Sequence, residues 1–203
     1  MAQREGDIMT NSNKIHKITG VGLLIAISFV LTIIGNNIAI GPVAINLSLI
    51  PIAIGAIMYG PVAGLAIGMV NGVAVLLAPT TGVFLSHNVF FTIVTCLFKT
   101  GLAGLISGLI FKLLNKLNYS IAVIIACVMI PIINTSFFAL CVFLFFYDLL
   151  LVGQGANAFV YFCLTIVGWN FIFELLVSSI LSPTIIYVTK AIFNRRKAEQ
   201  INE

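Results

Sequence analysis

The stretch Pro51-Ile-Ala-Ile-Gly55-Ala-Ile-Met-Tyr59-Gly60-Pro61-Val-Ala-Gly64-Leu-Ala-Ile-Gly68 has no charged side chain and one strong break. Gly60 is free to take a positive φ and end a helix, and Pro61 has its φ already set for the first position of the next. Two apolar helices are therefore expected around a tight turn, over about Ile45–Tyr59 and Pro61–Leu77. The apolar character continues outward on both sides. Between Ile18 and Thr189 only Lys99, Lys112, Lys116, Asp148 and Glu174 are charged. Over all 203 residues, 61% are apolar and 8% charged, and the mean hydropathy is +1.18. A soluble domain has roughly 45–50% apolar and about 25% charged residues, so the polar surface here cannot cover a water-soluble globule. A disulfide-rich secreted scaffold, a disordered chain and a nucleic-acid-binding domain are all disfavoured. The composition is that of an all-α integral membrane protein.

A crossing helix needs about 20 mostly apolar residues, and turn signals divide the chain into six expected spans. They lie at about Ile18–Asn36, Ile45–Tyr59, Pro61–Leu77, Ser86–Leu114, Tyr119–Leu150 and Ala156–Ile192. This makes 18–192 one membrane domain between two polar tails, 1–17 and 193–203. Gly41-Pro42-Val43-Ala44 repeats the pattern of Gly60-Pro61-Val62-Ala63 and reads as a second proline-started helix, with an inverted repeat as the other explanation. Ala78-Pro79-Thr80-Thr81-Gly82 and Gly153–Asn157 read as loops. Pro51, Pro131 and Pro183 fall inside spans, where neighbouring helices can satisfy the freed carbonyls.

Six of the ten cations (Arg4, Lys14, Lys17, Arg195, Arg196, Lys197) flank the apolar body, so the net charge of +4 reads as anchoring. With both termini in the cytoplasm, the Lys112–Lys116 loop is also inside. The loops near 36–45, 78–86 and 150–157 then face outward without Lys or Arg, as the positive-inside rule requires. The first apolar run starts about seventeen residues in and has the length of a full span, so a cleavable signal peptide is not expected. Cys96, Cys127, Cys141 and Cys163 fall inside spans without metal-type spacing and read as packing residues.

Familiar enzyme chemistry finds no support. There is no G-x-x-x-x-G-K-[ST] phosphate loop. Ser107-Gly108 superficially suggests an intramembrane protease nucleophile, but the histidines are His16, in the tail, and His87, about 30 Å away along the same span. Asp148, at a membrane edge, is poorly placed for a carboxylate dyad with mid-span Glu174. Neither a catalytic residue nor a cofactor or metal site is expected.

Polar side chains inside a bilayer are costly and tend to mark a pathway or a site. Span four carries Asn88, Thr92, Thr95 and Lys99 at i, i+4, i+7 and i+11, one face of a helix. Span six offers Trp169, Asn170 and Glu174, span five Asn134-Thr135-Ser136, and span three Asn71. Lys99 and Glu174 fall at similar depth, and pairing them lowers the cost of two buried charges. Such a pair serves either as a structural bridge or in binding and coupling. His87, at the mouth, reads as a gate or an interfacial residue, and Trp169 as packing or ligand contact. Phe137, Phe138, Phe143, Phe145 and Phe146 read as core or lipid-facing. The inventory suits an outward pocket between spans three to six for one small polar metabolite, without the charged ring or carbonyl filter of a channel. Small-xxx-small patterns recur at Gly22/Ala26, Ser28/Thr32, Gly64/Gly68 and Gly101/Gly104/Gly108. They allow close helix approach, and the face of span one is the best candidate for an outside partner.

Six spans, an outward pocket and no ATPase, together with the Pro51–Gly68 turn and Lys99-Thr-Gly101-Leu-Ala-Gly104-Leu-Ile-Ser-Gly108, resemble the S components of energy-coupling factor (ECF) vitamin transporters. Vitamin-specific members have a similar G-x-x-x-G-P-x-x-G-x-x-x-G turn. The resemblance implies a multi-pass subunit of a bacterial plasma membrane that binds a vitamin from outside. It also implies docking onto a membrane coupling subunit bearing two cytoplasmic ATPases, and toppling to deliver the cargo inward. The family's docking pattern, A-x-x-x-A on span one, has its nearest counterpart in Gly22-x-x-x-Ala26. Loops around Asn36–Asn46, Ala78–His87 and Gly153–Asn157 would act as lids. Thiamin binders are rich in tryptophan and this chain has one, whereas overall similarity points to the pantothenate-specific members. Pyridoxine, hydroxymethylpyrimidine, folate and riboflavin stay open as cargo. Two other classes compete: a proton-coupled secondary transporter using Lys99 and Glu174, and an assembly factor that binds no small molecule.

Overall fold

The computed structural model describes residues 2–37, 39–40, 43–44, 46–147 and 168–202, with side chains over 14–36, 46–147, 168, 171–192 and 194. Helix α1 (Ala2–Asn37) leads into a two-residue antiparallel ladder, β1 (Ala39–Ile40) with β2 (Val43–Ala44). Then come α2 (Leu49–Tyr59), α3 (Pro61–Leu76), a 3-10 turn at Pro79–Thr81, α4 (Gly82–His87), α5 (Val89–Leu114), α6 (Tyr119–Phe145) and α7 (Trp169–Asn202).

Gly60 has φ +96°, the only positive φ among the described residues, and Pro61 opens α3 at its first turn. The α2–α3 break is the one expected from Gly60-Pro61. The second Gly-Pro-Val-Ala stretch has a different outcome. Its Val43–Ala44 segment pairs with Ala39–Ile40, with Ile40 opposite Val43, an arrangement that suits β-branched side chains. The next helix waits until Leu49, so the repeated Gly-Pro-Val-Ala pattern does not mark two proline-started helices.

Four helical stretches are long and apolar enough to cross a membrane: Lys14–Asn36, Val89–Leu114, Tyr119–Phe145 and Phe171–Ile192. Helix α3 and the segment Pro79–His87 form a pair bent by 78° and count as a fifth when taken together. Helix α2 has 11 residues, about 16 Å of rise against a hydrocarbon core of about 30 Å. Of the six expected spans, four are thus long helices, one is half-length and one bends. Span four starts at Val89 rather than Ser86, because Asn88 is extended (φ −155°) and caps α5. Helix α1 reaches back to Ala2 and α7 on to Asn202, so both expected tails continue the helices beside them. The expected loop at Gly153–Asn157, and with it Asp148 and Cys163, lies outside the described residues.

The closest helix pair is α3 against α5. Gly64, Gly68 and Gly72 form one stripe on α3, and a Cβ on Gly64 would stand 2.5 Å from the Gly104 carbonyl oxygen. A Cβ on Gly72 would stand 2.5 Å from the Cys96 carbonyl oxygen. The Thr100 hydroxyl uses this proximity to donate to the Gly68 carbonyl at 2.6 Å. These small-residue patterns serve the bundle itself, as van der Waals packing between helices in lipid requires. Ser107 ties α5 to α6 through the Ala126 carbonyl at 2.8 Å, and Tyr119 ties α6 to α7 through Thr189 at 2.6 Å. The short α2 is enclosed by its neighbours, with Ile52 and Ala56 fully buried. Around it, Ile67, Ala103, Phe111, Val123, Ala126, Ile130 and Ile185 form an apolar core. That core occupies one end of the bundle and leaves the other end for a polar cavity.

Candidate functional site

The cavity measures about 170 Å³ and lies between the last turns of α1, the second half of α3, the first half of α5, the second half of α6 and the first turns of α7. Thr92, Thr95, Cys96 and Lys99 line it from α5, and Asn134, Thr135, Phe138 and Val142 from α6. Glu174 comes from α7, Thr32 and Asn36 from α1, and Val75 from α3. Asn46, Ala78, Thr80, Thr81, Phe84 and Phe146 come from the connecting segments and α4. Two of the three lid segments implied by the resemblance, around 36–46 and 78–87, therefore border the cavity. The third lies outside the described residues.

The helical stripe on α5 explains three wall positions. Thr92, Thr95 and Lys99 share a face through their i+3 and i+4 spacing, and Asn88 stands one turn earlier as the N-cap. Its side-chain oxygen accepts from the Phe91 amide at 3.2 Å, satisfying one of the free N–H groups of a helix start. The Thr92 hydroxyl donates to the Asn88 carbonyl at 2.7 Å.

Charge enters the wall at two points. Glu174 is 5% exposed and accepts from the Asn134 amide at 3.3 Å and the Thr135 hydroxyl at 3.4 Å, both at Oε2. The Lys99 ammonium lies 4.8 Å from the centroid of the Phe138 ring, within cation–π range. Lys99 and Glu174 thus share one cavity, each with its own contacts. Phe138, Phe84 and Phe146 make an aromatic wall, with Phe84 edge-on to Phe138 at 5.9 Å and to Phe146 at 5.3 Å. Two of the phenylalanines expected as core or lipid-facing, Phe138 and Phe146, therefore belong to the cavity.

Of the residues singled out from the sequence, the structure brings Thr92, Thr95, Lys99, Asn134 and Glu174 together around the cavity. Asn71 is 1% exposed and stands behind the wall, where its Oδ1 accepts from the hydroxyls of Ser28, at 3.0 Å, and of Thr32. His87 ends α4 in an exposed position, its ring 5.8 Å from that of Phe146. Trp169 and Asn170 start α7, and their side chains lie outside the described ones. Gly22 and Ala26 are exposed on α1, and a Cβ added at Gly22 meets nothing within 4 Å.

Helix α1 contributes more to the cavity than its sequence suggests at first reading. Ser28, Thr32 and Asn36 recur every four residues, and this polar stripe is the signal that points to Thr32 and Asn36 as wall residues. Asn46, Thr80 and Thr81 have no such signal, because they sit in connections without periodicity. Among the described residues the cavity offers hydroxyls, amides, one cation, one carboxylate and an aromatic wall. It can hold a small polar molecule.

Among the comparisons with known proteins, the model of the family "ECF transporter, substrate-specific component" matches residues 16–186. No curated relative and no solved structure matches the chain.

Proposed function

Because this chain belongs to the family of ECF transporter substrate-specific components, a transporter subunit rather than an enzyme, we propose that it captures a water-soluble vitamin for import, with pantothenate as the cargo. The observation that carries this reading is a partly open cavity of about 170 Å³, bordered by Lys99 from α5 and Glu174 from α7, with amide and hydroxyl side chains set among apolar ones. Pantothenate has one carboxylate, an amide and two hydroxyls, which suit one cation and a set of amide and hydroxyl side chains. In this reading the cavity faces outward, six helical segments sit in a bacterial plasma membrane, and both termini are cytoplasmic, where Lys and Arg concentrate.

Energy comes from partners: a membrane coupling subunit and two cytoplasmic ATPases. The free, small-residue face of α1 at Gly22 and Ala26 is the proposed docking point, since it lets another helix approach closely. The test is equilibrium binding of radiolabelled pantothenate to the purified chain, joined to uptake in liposomes. Micromolar or tighter binding is expected, with uptake only when the coupling subunits and ATP are present.

A second reading draws on the two charges lining one cavity. A proton-coupled secondary transporter would use Lys99 and Glu174 as its relay. It requires uptake by this chain alone under a pH gradient, the opposite of the outcome expected above. Pyridoxine or hydroxymethylpyrimidine are the alternative cargoes to include in the same assays.

A further inference from the structure

Two cavity-lining side chains hold a buried polar atom with no hydrogen-bond partner: Thr95 Oγ1 and Asn134 Oδ1. Both residues are more than nine-tenths buried, at 3% and 4% exposure. Buried polar groups are nearly always paired; of the three orphans among the described residues, Asn71 Nδ2 stands behind the wall and these two belong to residues that line the cavity. For Asn134 the chemistry of the missing bond is determined. Its amide nitrogen faces the Glu174 side chain at 3.3 Å, and with Glu174 ionised this is the orientation in which a donor meets that acceptor. Its carbonyl oxygen is therefore the unpaired atom, and it can only accept.

Glu174 and Asn134 together form an accepting end of the cavity. The donating end lies one helical turn along α6. There the Lys99 ammonium sits over Phe138, four residues and about 6 Å of rise from Asn134. An ammonium can only donate. On the transport-subunit reading above, we infer that the cavity binds its cargo in one direction: an anionic group on Lys99 and a hydroxyl or N–H donor on Glu174 and Asn134. The substrate class is thus a monoanion bearing donors about one helical turn from its charge. A dianion would bring its second negative group against Glu174, and a simple cation would leave Lys99 facing like charge. Hydrogen bonds to charged groups are the strong ones, so both ends contribute to selection.

The test compares pantothenate with panthenol, its alcohol analogue, which differs only at the carboxylate. Binding is measured on the full chain in nanodiscs for the wild type, Lys99→Met, Lys99→Arg and Glu174→Gln, with thermal unfolding as the check on folding. The wild type and Lys99→Arg should prefer the acid by about tenfold or more, and Lys99→Met should bind the two alike. Glu174→Gln should lose about tenfold for both ligands while keeping the preference. An acid preference that survives Lys99→Met overturns the directional clamp. If pantothenate does not bind but another vitamin does, the cargo assignment falls. The clamp then stands if that vitamin is a monoanion and Lys99→Met and Glu174→Gln each weaken it about tenfold, and is overturned in every other case. No binding by any vitamin overturns both readings.

Discussion

The Thr32 hydroxyl of α1 donates to the side-chain oxygen of Asn71 on α3, while Thr32 itself lines the cavity. Ser28 donates to the same oxygen at 3.0 Å, so Asn71 fixes the cavity end of α1 from behind the wall. Asn71→Leu removes the shared acceptor while keeping the branching of the side chain. The Ser28 hydroxyl loses its acceptor, while Thr32 keeps the Ser28 carbonyl at 2.9 Å. The unpaired Asn71 Nδ2 is removed, so destabilisation of about 1 kcal/mol is expected. Thermal unfolding of the empty protein measures it, and cargo affinity should fall with it because the cavity end of α1 loses its tie to α3.

Thr95 should behave in the opposite sense. Its hydroxyl is buried without a partner in the empty protein, so Thr95→Val relieves an unsatisfied group. The empty protein should be unchanged or more stable by about 1 kcal/mol, while cargo binding weakens several-fold. Parallel melting and binding curves check it, and a fall in both would assign Thr95 to packing.

The glycines divide by what faces them. Gly64→Ala places a methyl 2.5 Å from the Gly104 carbonyl oxygen, which forces α3 and α5 apart at a cost of about 1–3 kcal/mol. Gly22→Ala meets nothing within 4 Å and should stabilise by about 0.5–1 kcal/mol, because alanine has less backbone freedom to lose inside a helix. The melting temperatures of the two variants give the comparison.

Larger groups at the exposed α1 face test docking. Gly22→Leu and Ala26→Leu should reduce co-purification of the coupling subunit and its ATPases severalfold while pantothenate affinity stays within twofold, because both positions point away from the cavity's walls. Equal loss of both activities would place this face in the fold itself.

Much of the site was legible because a bilayer makes polar side chains conspicuous. Thr92, Thr95 and Lys99 stand out on an apolar helix, and their spacing puts them on one face. Asn71 stood out equally, yet it bonds to α1 and not into the cavity. Periodicity gives a direction around one helix axis and carries no information on which neighbour occupies that direction. Ser28 and Thr32 illustrate the same point from the other side: as a small-residue pair they suggested packing, and they prove to be the polar contact between α1 and Asn71. The Asn88 position turned on a local matter, since an asparagine that could sit inside a helix instead caps the next one.

By itself the sequence determined the membrane character, because 8% charge cannot solvate a globule of this size. It also determined the break at Gly60-Pro61, because only glycine takes φ +96° without strain. Only the tertiary structure decided that α2 is a half-length helix enclosed by the bundle, that α1 supplies part of the cavity wall, and that Lys99 and Glu174 border one space. These depend on how helices far apart in the chain pack together. That packing is set by the glycine stripe of α3 against α5 and by the apolar core around α2, interactions that no single stretch of sequence contains.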